Sequence, residues 1–190
     1  MKFFNYLNFK FFLFLVFFAT TINAGEKDKI ILNLKKTNSI KFNFTQFSNE
    51  KKETGLCLLL FPEKLKCKYK DNMHKELIIS EKKLVIIQKR YDKKYFYPIS
   101  KSPFLKVLNK KDLIKIIKEA DIEINGNRIE LVGSNTESYK KINILFNKKN
   151  LDLAGWKIID QYNNKIIFNI DIVSKNLIFD KNEFKLPNLN

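Results

Sequence analysis

Histidine occurs once in these 190 residues, cysteine twice, proline four times and glycine five times. Each scarcity removes a class of function. A lone His74 leaves no spare part for a histidine-rich metal site or a Ser-His-Asp arrangement, and an imidazole on a lysine-rich stretch reads as a surface residue. The scattered glycines build no phosphate-cradling loop. With so few prolines and glycines no segment reads as a linker, and no helix-pair repeat recurs, so one domain is the economical expectation. Arginine, the usual reader of bases, stands only at Arg90 and Arg128, although the formal charge is +16. The lysines are spread singly or in pairs through the chain with no basic arm, which argues against nucleic acid. Asp121 and Glu123 share a strand face, an arrangement common on wet surfaces. The chain is therefore expected to be no enzyme and to need no metal or cofactor.

What is present begins with an apolar leader. Lys2 precedes an apolar stretch that is interrupted by Lys10 and resumes as Phe11 to Phe18, with Thr20, Thr21 and a small-residue end at Ala24. These are the parts of a secretory signal peptide, too short in its unbroken core to span a bilayer comfortably. The expectation is a signal peptide over 1–24 and a single mature domain over 25–190, exported and not itself lipidated, since no cysteine lies near the boundary.

The stretch Gly55 to Tyr69 organises the rest. Its apolar run Leu56 to Phe61, a turn at Pro62 to Lys64 and the alternation of Leu65, Cys67 and Tyr69 with lysines predict a β-hairpin. Side chains alternate faces along a strand, so Cys57, Leu59, Phe61, Leu65, Cys67 and Tyr69 share one apolar face. Cys57 and Cys67 then sit opposite each other, either bridged, as an exported protein allows, or packed as two free thiols. Leu56, Leu58 and Leu60 occupy the other face, as a strip covered by something or left as a docking surface.

Elsewhere the pattern predicts a short helix over Lys29 to Lys36 capped by Asp28, and a first strand carrying Ile40, Phe42 and Phe44. Glu50 to Glu53 read as a turn into the hairpin. Strands at Leu77 to Ser80, Leu84 to Gln88 and Tyr95 to Ile99 complete an antiparallel meander. Ser102-Pro103 opens a helix with Phe104, Leu105 and Leu108, and Asp112 is placed to cap a second one. Asn125-Gly126 marks a hairpin between Asp121 to Ile124 and Arg128 to Val132. Strands follow at Lys140 to Phe146, Gly155 to Asp160, Ile166 to Val173 and Leu177 to Asp180.

The succession Phe44-Thr45-Gln46, Gly55 with an apolar strand ending in Phe61-Pro62, and Ser102-Pro103-Phe104-Leu105 resembles the LolA-type outer-membrane lipoprotein carriers. The resemblance continues through Leu151, Ala154-Gly155-Trp156-Lys157-Ile158-Ile159-Asp160 and Phe184-Lys185-Leu186-Pro187, nearly the whole mature chain. It implies a mainly β (α+β) fold, an incomplete antiparallel β-barrel with a lid of short helices over an apolar cavity. It also implies a periplasmic chaperone that binds the acyl chains of lipoproteins and carries them from the inner to the outer membrane. The implied partners are acylated lipoproteins, an inner-membrane lipoprotein-releasing ABC transporter complex and an outer-membrane lipoprotein receptor, for a monomeric carrier.

On that resemblance, face parity assigns the acyl-chain cavity to Phe42, Phe44, Leu59, Phe61, Leu65 and Tyr69, and the lid to Phe104, Leu105 and Leu108. Ordinary core packing is the competing reading for each. Phe61 stands where the family usually has an arginine that hydrogen-bonds the lid, so the lid here is expected to be held by packing of Phe61. Cys67 stands where a tryptophan is common, and the chain stops soon after Pro187. Other readings are a general periplasmic carrier of free lipid or another apolar ligand, a non-carrier envelope interaction or sensor domain on the same fold, and a basic polymer-binding protein.

Overall fold

The computed structural model describes residues 25–49, 51–71, 73–99, 103–133, 142–159, 163–180 and 182–188. The leader, Glu50, the Ser102 cap, Asp160 and the side chain of Phe104 lie outside them. Three helices are α1 (Glu26–Lys36), α2 (Pro103–Leu108) and α3 (Lys110–Glu119). The strands are β1 (Ser39–Ser48), β2 (Lys51–Leu60), β3 (Lys64–Tyr69), β4 (Lys75–Ser80), β5 (Lys83–Gln88) and β6 (Lys93–Pro98), followed by β7 (Asp121–Asn125), β8 (Arg128–Val132), β9 (Ile142–Asn147), β10 (Leu153–Ile159) and β11 (Lys165–Lys175).

All of these strands join one antiparallel sheet in the order β6-β5-β4-β3-β2-β1-β11-β10-β9-β8-β7. The sheet does not close into a barrel: β6 and β7 remain its two edges. Two meanders, β1 to β6 and β7 to β11, are thus joined where β11 lies beside β1, from Ile40 facing Lys175 to Ser48 facing Ile166. The expected mainly β fold with a few short helices is what forms.

Local chemistry explains most boundaries, and some differ from the sequence reading. Asn49 takes a positive φ of 54° and turns β1 directly into β2. Lys51 to Glu53 are therefore strand residues, not a turn. Glu81 and Lys82, at φ 51° and 59°, close the β4–β5 hairpin, and Gly126 at φ 58° closes β7–β8. Helix α1 starts one turn early: Gly25 is its N-cap and Asp28 lies within the first turn, where its charge suits the helix dipole. For α3 the cap is Asn109, whose side chain accepts from the amides of Lys111 and Asp112, so Asp112 is a first-turn residue. The Leu177 to Asp180 segment is no strand: it leaves the sheet after β11, with Ile178 fully exposed.

Parity divides the sheet into two faces. The inward face carries Phe42, Phe44, Cys57, Leu59, Leu65, Cys67, Ile79, Ile129, Leu131, Ile142, Ile144 and Phe168 against the apolar stripes of the helices. On the outward face Leu56, Leu58 and Leu60 are half-buried, paired across the ladders with Lys68, Lys66 and Lys64. Lysine stems beside apolar side chains cover them while the ammonium groups stay wet. Next to them, Ile78 and Val85 are 4% and 0% exposed yet stand apart from the main core. Glu183 pairs with Lys66 at 3.0 Å, and the neighbouring Phe184 is buried, its ring 5.7 Å from that of Phe179. The chain after β11 therefore returns across this outward face.

Candidate functional site: the concave face

One end of the concave face is sealed by the helices. Phe42, Leu59, Leu108, Leu113, Ile116 and Ile117 are at most 1% exposed, and Leu65 and Leu105 join them. Side chains fill the space between sheet and helices there. The helices are tied to the β2–β3 turn by polar contacts: the amide of Glu63 donates to the Leu108 carbonyl at 2.8 Å, and Asn109 Nδ2 donates to Glu63 Oε1 at 2.8 Å. Phe61 is half-buried in that turn and packs on the core, with the Lys110 ammonium 5.4 Å from its ring centroid. Lys110 also donates to Asn38 Oδ1, and its burial pushes its pKa down. The helices are thus held by Glu63 and Asn109 in addition to the packing expected of Phe61.

Along the middle of the face runs a row of rings from four strands. Tyr69 meets Phe44 edge-on at 4.9 Å, Phe44 stacks on Phe168 at 4.9 Å, and Phe168 stacks on Trp156 at 4.5 Å. Gly55 lies between Phe44 and Tyr69 in the ladders, and a Cβ there would meet a Phe44 ring carbon at 2.5 Å and the Lys68 carbonyl oxygen at 2.2 Å. Its missing side chain is what lets Phe44 reach Tyr69. Strands β2 and β3 are cross-linked on this face, since Cys57 and Cys67 are directly opposed and bonded, with a Cα–Cα distance of 4.1 Å.

Beyond the rings, away from the helices, the inward positions turn polar. Lys75 pairs with Glu53 at 2.5 Å and places its ammonium 3.7 Å from the Tyr69 ring centroid. Lys51 also reaches Glu53 at 2.9 Å, and Gln46 stands opposite it. Burial alone would raise the Glu53 carboxyl; the hydrogen bonds and charges of Lys75 and Lys51 outweigh it and hold the group below the ordinary carboxylate value. Burial, reinforced by the charges of Glu53 and Asp71, pushes the Tyr69 hydroxyl up and keeps it neutral.

Among the described residues, no helix covers much of the concave side of the wing from β4 to β6. Leu77, Ile86 and Tyr95 face each other across three strands, as do Ile79, Leu84 and Tyr97. Ile79 is buried, Leu77, Leu84 and Ile86 are half-buried, and Tyr95 and Tyr97 are 38% and 46% exposed. Two clefts flank this wing. One of about 390 Å³ is lined by Phe96, Tyr97, Pro98, Leu186 and Pro187, where the returning C-terminal chain meets the edge strand. Another of about 330 Å³ lies at the tip of β3, β4 and β5 and includes Tyr69.

The structure brings Phe42, Phe44, Leu59 and Leu65 together with Leu105 and Leu108 beneath the helices, sets Phe61 in the turn that anchors them, and leaves Tyr69 half-buried at the polar end. Helix α2 carries Phe104 in its backbone. Sequence reasoning missed Trp156 and Phe168, although an aromatic pair on two late strands is a signal for a shared face. It also missed Leu77, Leu84 and Ile86, whose alternation was visible but whose lack of cover was not.

A family model described as outer membrane lipoprotein carrier protein LolA matches residues 35–187. Among solved structures, the LolA superfamily protein NE2245 from Nitrosomonas europaea is 8% identical, with 86% of this chain and 99% of that chain covered and a TM-score of 0.41. The Mycobacterium tuberculosis lipoprotein LppX is 11% identical, with coverages of 76% and 91% and a TM-score of 0.41. An uncharacterized conserved protein from Thermus thermophilus is 10% identical, with coverages of 84% and 93% and a TM-score of 0.49. No curated protein matches the chain.

Proposed function

We propose that this chain, which belongs to the LolA family of outer membrane lipoprotein carriers, shields the acyl chains of lipoproteins while they cross the periplasm. The observation that supports this reading most is the uncovered apolar wing of the concave face, Leu77, Leu84, Ile86, Tyr95 and Tyr97, continuous with the helix-covered core. Each methylene hidden from water is worth about 0.8 kcal/mol, so a single acyl chain represents on the order of 10 kcal/mol and cannot travel bare. Aliphatic and aromatic walls cover it without directional demands, so it slides out when a better surface is offered.

In this reading the first chain lies on the open wing. Further chains enter as α2 and α3 lift from Phe42, Phe44, Leu59, Phe61 and Leu65, with Leu105 and Leu108 forming the underside of the lid and Tyr69 lining the far end of the same cavity. The Glu63–Asn109 and Glu63–Leu108 hydrogen bonds are the latch that must open. The protein acts without catalysis as a monomer exported by the leader over 1–24. It receives its load from an inner-membrane lipoprotein-releasing ABC transporter complex and passes it to an outer-membrane receptor.

The test is native mass spectrometry of the mature protein taken from its own periplasm, with organic extraction of what rides on it. A co-purifying acylated lipoprotein is the expected result, and free lipid alone would make it a general lipid carrier. The side chains that fill the space under the helices favour one other reading, an envelope interaction domain with no removable ligand; an empty monomer would select it and overturn the carrier.

A further inference from the structure

The cleft at the tip of β3, β4 and β5 is built differently from the rest of the molecule. Its walls are Lys68 and Tyr69 from β3, His74, Lys75 and Glu76 from the start of β4, and Lys89 and Arg90 from a 3-10 turn at Lys89–Tyr91. Two features fix those walls. The amide of Arg90 donates to the Met73 carbonyl at 3.3 Å, tying the turn to the β3–β4 loop. Asp71 Oδ1 accepts from the amides of Met73 and Lys75 at 3.1 and 3.0 Å, so that loop is closed on itself and its carboxylate is occupied.

The charges do not balance within the cleft. Lys89 is paired with Glu76 at 2.7 Å, and Lys75 with Glu53. Among the described residues, neither Lys68 nor Arg90 has a carboxylate within ion-pair distance; the Arg90 guanidinium lies 5.9 Å from the Tyr91 ring centroid. The other arginine, Arg128, donates to Asn169 across the outward face at 2.8 Å. The remaining guanidinium, the group best shaped for two-point contact with a phosphate, stands in a cleft of about 330 Å³ among lysines. The cleft sits at the strand ends, where Lys68 and Glu76 come from the outward face and Tyr69, the first ring of the row that leads through Phe44, comes from the concave one.

We propose that this cleft binds a phosphate group through Arg90, Lys68 and Lys89. The phosphate is that of an anionic amphiphile whose acyl chain passes around the strand ends at Tyr69 onto the concave face, or free phosphate. The amphiphile arm rests on the carrier reading; the phosphate contact does not. Cations alone would make a diffuse field, whereas a cleft with fixed walls and one apolar side selects a head and a tail together.

Isothermal titration of the mature protein with three probes tests this: palmitoyl lysophosphatidylglycerol, monopalmitoylglycerol and inorganic phosphate. The expected result is at least tenfold tighter binding of the phosphate-bearing amphiphile than of the phosphate-free one. That advantage should vanish in Lys68→Gln/Arg90→Gln, two exposed sites whose thermal unfolding should match the parent protein. Equal affinity for both amphiphiles in both proteins overturns the phosphate site and leaves acyl binding standing. Binding of inorganic phosphate without either amphiphile, lost in the double variant, supports the site as one for free phosphate and counts against acyl binding. No binding of any probe overturns both.

Discussion

The two ends of the concave face use one strand alternation for opposite purposes. Under the helices, Phe42, Leu59 and Leu65 are sealed within a cluster of apolar side chains. At the far end the same inward positions hold Gln46, Glu53, Lys75 and a half-buried Tyr69, and on the outer wing exposed tyrosines. The difference lies both in the side chains at the inward positions and in what covers them. Three short helices make core out of one part, and the rest stays a surface that can take a guest without unfolding anything.

The sharpest way to break this contrast is to place a charge at each end. Leu65→Glu buries an unpaired carboxylate beneath the helices and should cost about 3–5 kcal/mol, read by urea unfolding. Tyr95→Glu on the open wing should change stability by about 1 kcal/mol or less and instead abolish retention of an acyl probe. Equal losses from both would mean the wing is core as well. Gly55→Ala tests the boundary: its Cβ would drive Phe44 off the ring row, at about 2–3 kcal/mol, with altered near-ultraviolet dichroism. Gly126→Ala, in a turn with open space around it, should cost only the left-handed backbone penalty, about 1 kcal/mol.

Removing the bond with Cys57→Ala/Cys67→Ala should cost roughly 2–3 kcal/mol, from the freedom restored to a short loop of unfolded chain. Alkylation of the native protein should be negligible until it is reduced, because Cys57 is 0% and Cys67 2% exposed. The smallest effect belongs to the polar end. The Glu53 carboxyl is held below its ordinary 4.5, so its contribution is present above that value and fades as pH falls through the folded value. Glu53→Gln should flatten the acid limb of the stability curve there, while Leu65 variants leave its shape unchanged.

Much of this contrast was legible in the sequence. Alternation placed Cys57 opposite Cys67 and put Phe42, Phe44, Leu59 and Leu65 on one face, because a strand's period of two leaves no other face for them. The caps were less legible. Asp28 and Asp112 have the right chemistry, but Gly25 and Asn109 begin their helices, and an acidic residue suits the first turn as well as the cap. Lys51 to Glu53 look like a turn by composition, yet the chain turns before them, with Asn49 at a positive φ, and they pair with β1. Leu177 to Asp180 read as a strand by hydrophobicity, but both sides of β11 are already taken by β1 and β10, so the segment cannot pair with the strand it follows. Where cover ends cannot be read from periodicity, since it depends on how far short helices reach across a sheet built from distant segments.

The seam between β1 and β11 sets a timetable. It joins strands from nearly opposite ends of the chain, and it is the link between the two meanders in the middle of the sheet. Contacts of such separation are the slow ones to form. Whenever the chain emerges amino end first, β1 waits with its hydrogen-bonding edge unmatched until almost everything else has arrived. A chain cut before Lys165 would lose the strand pairing that joins its two half-sheets. Assembly of this protein is therefore governed by its last strand, and a handler that masks the edge of β1 in the interval would do more for its yield than any gain in core packing.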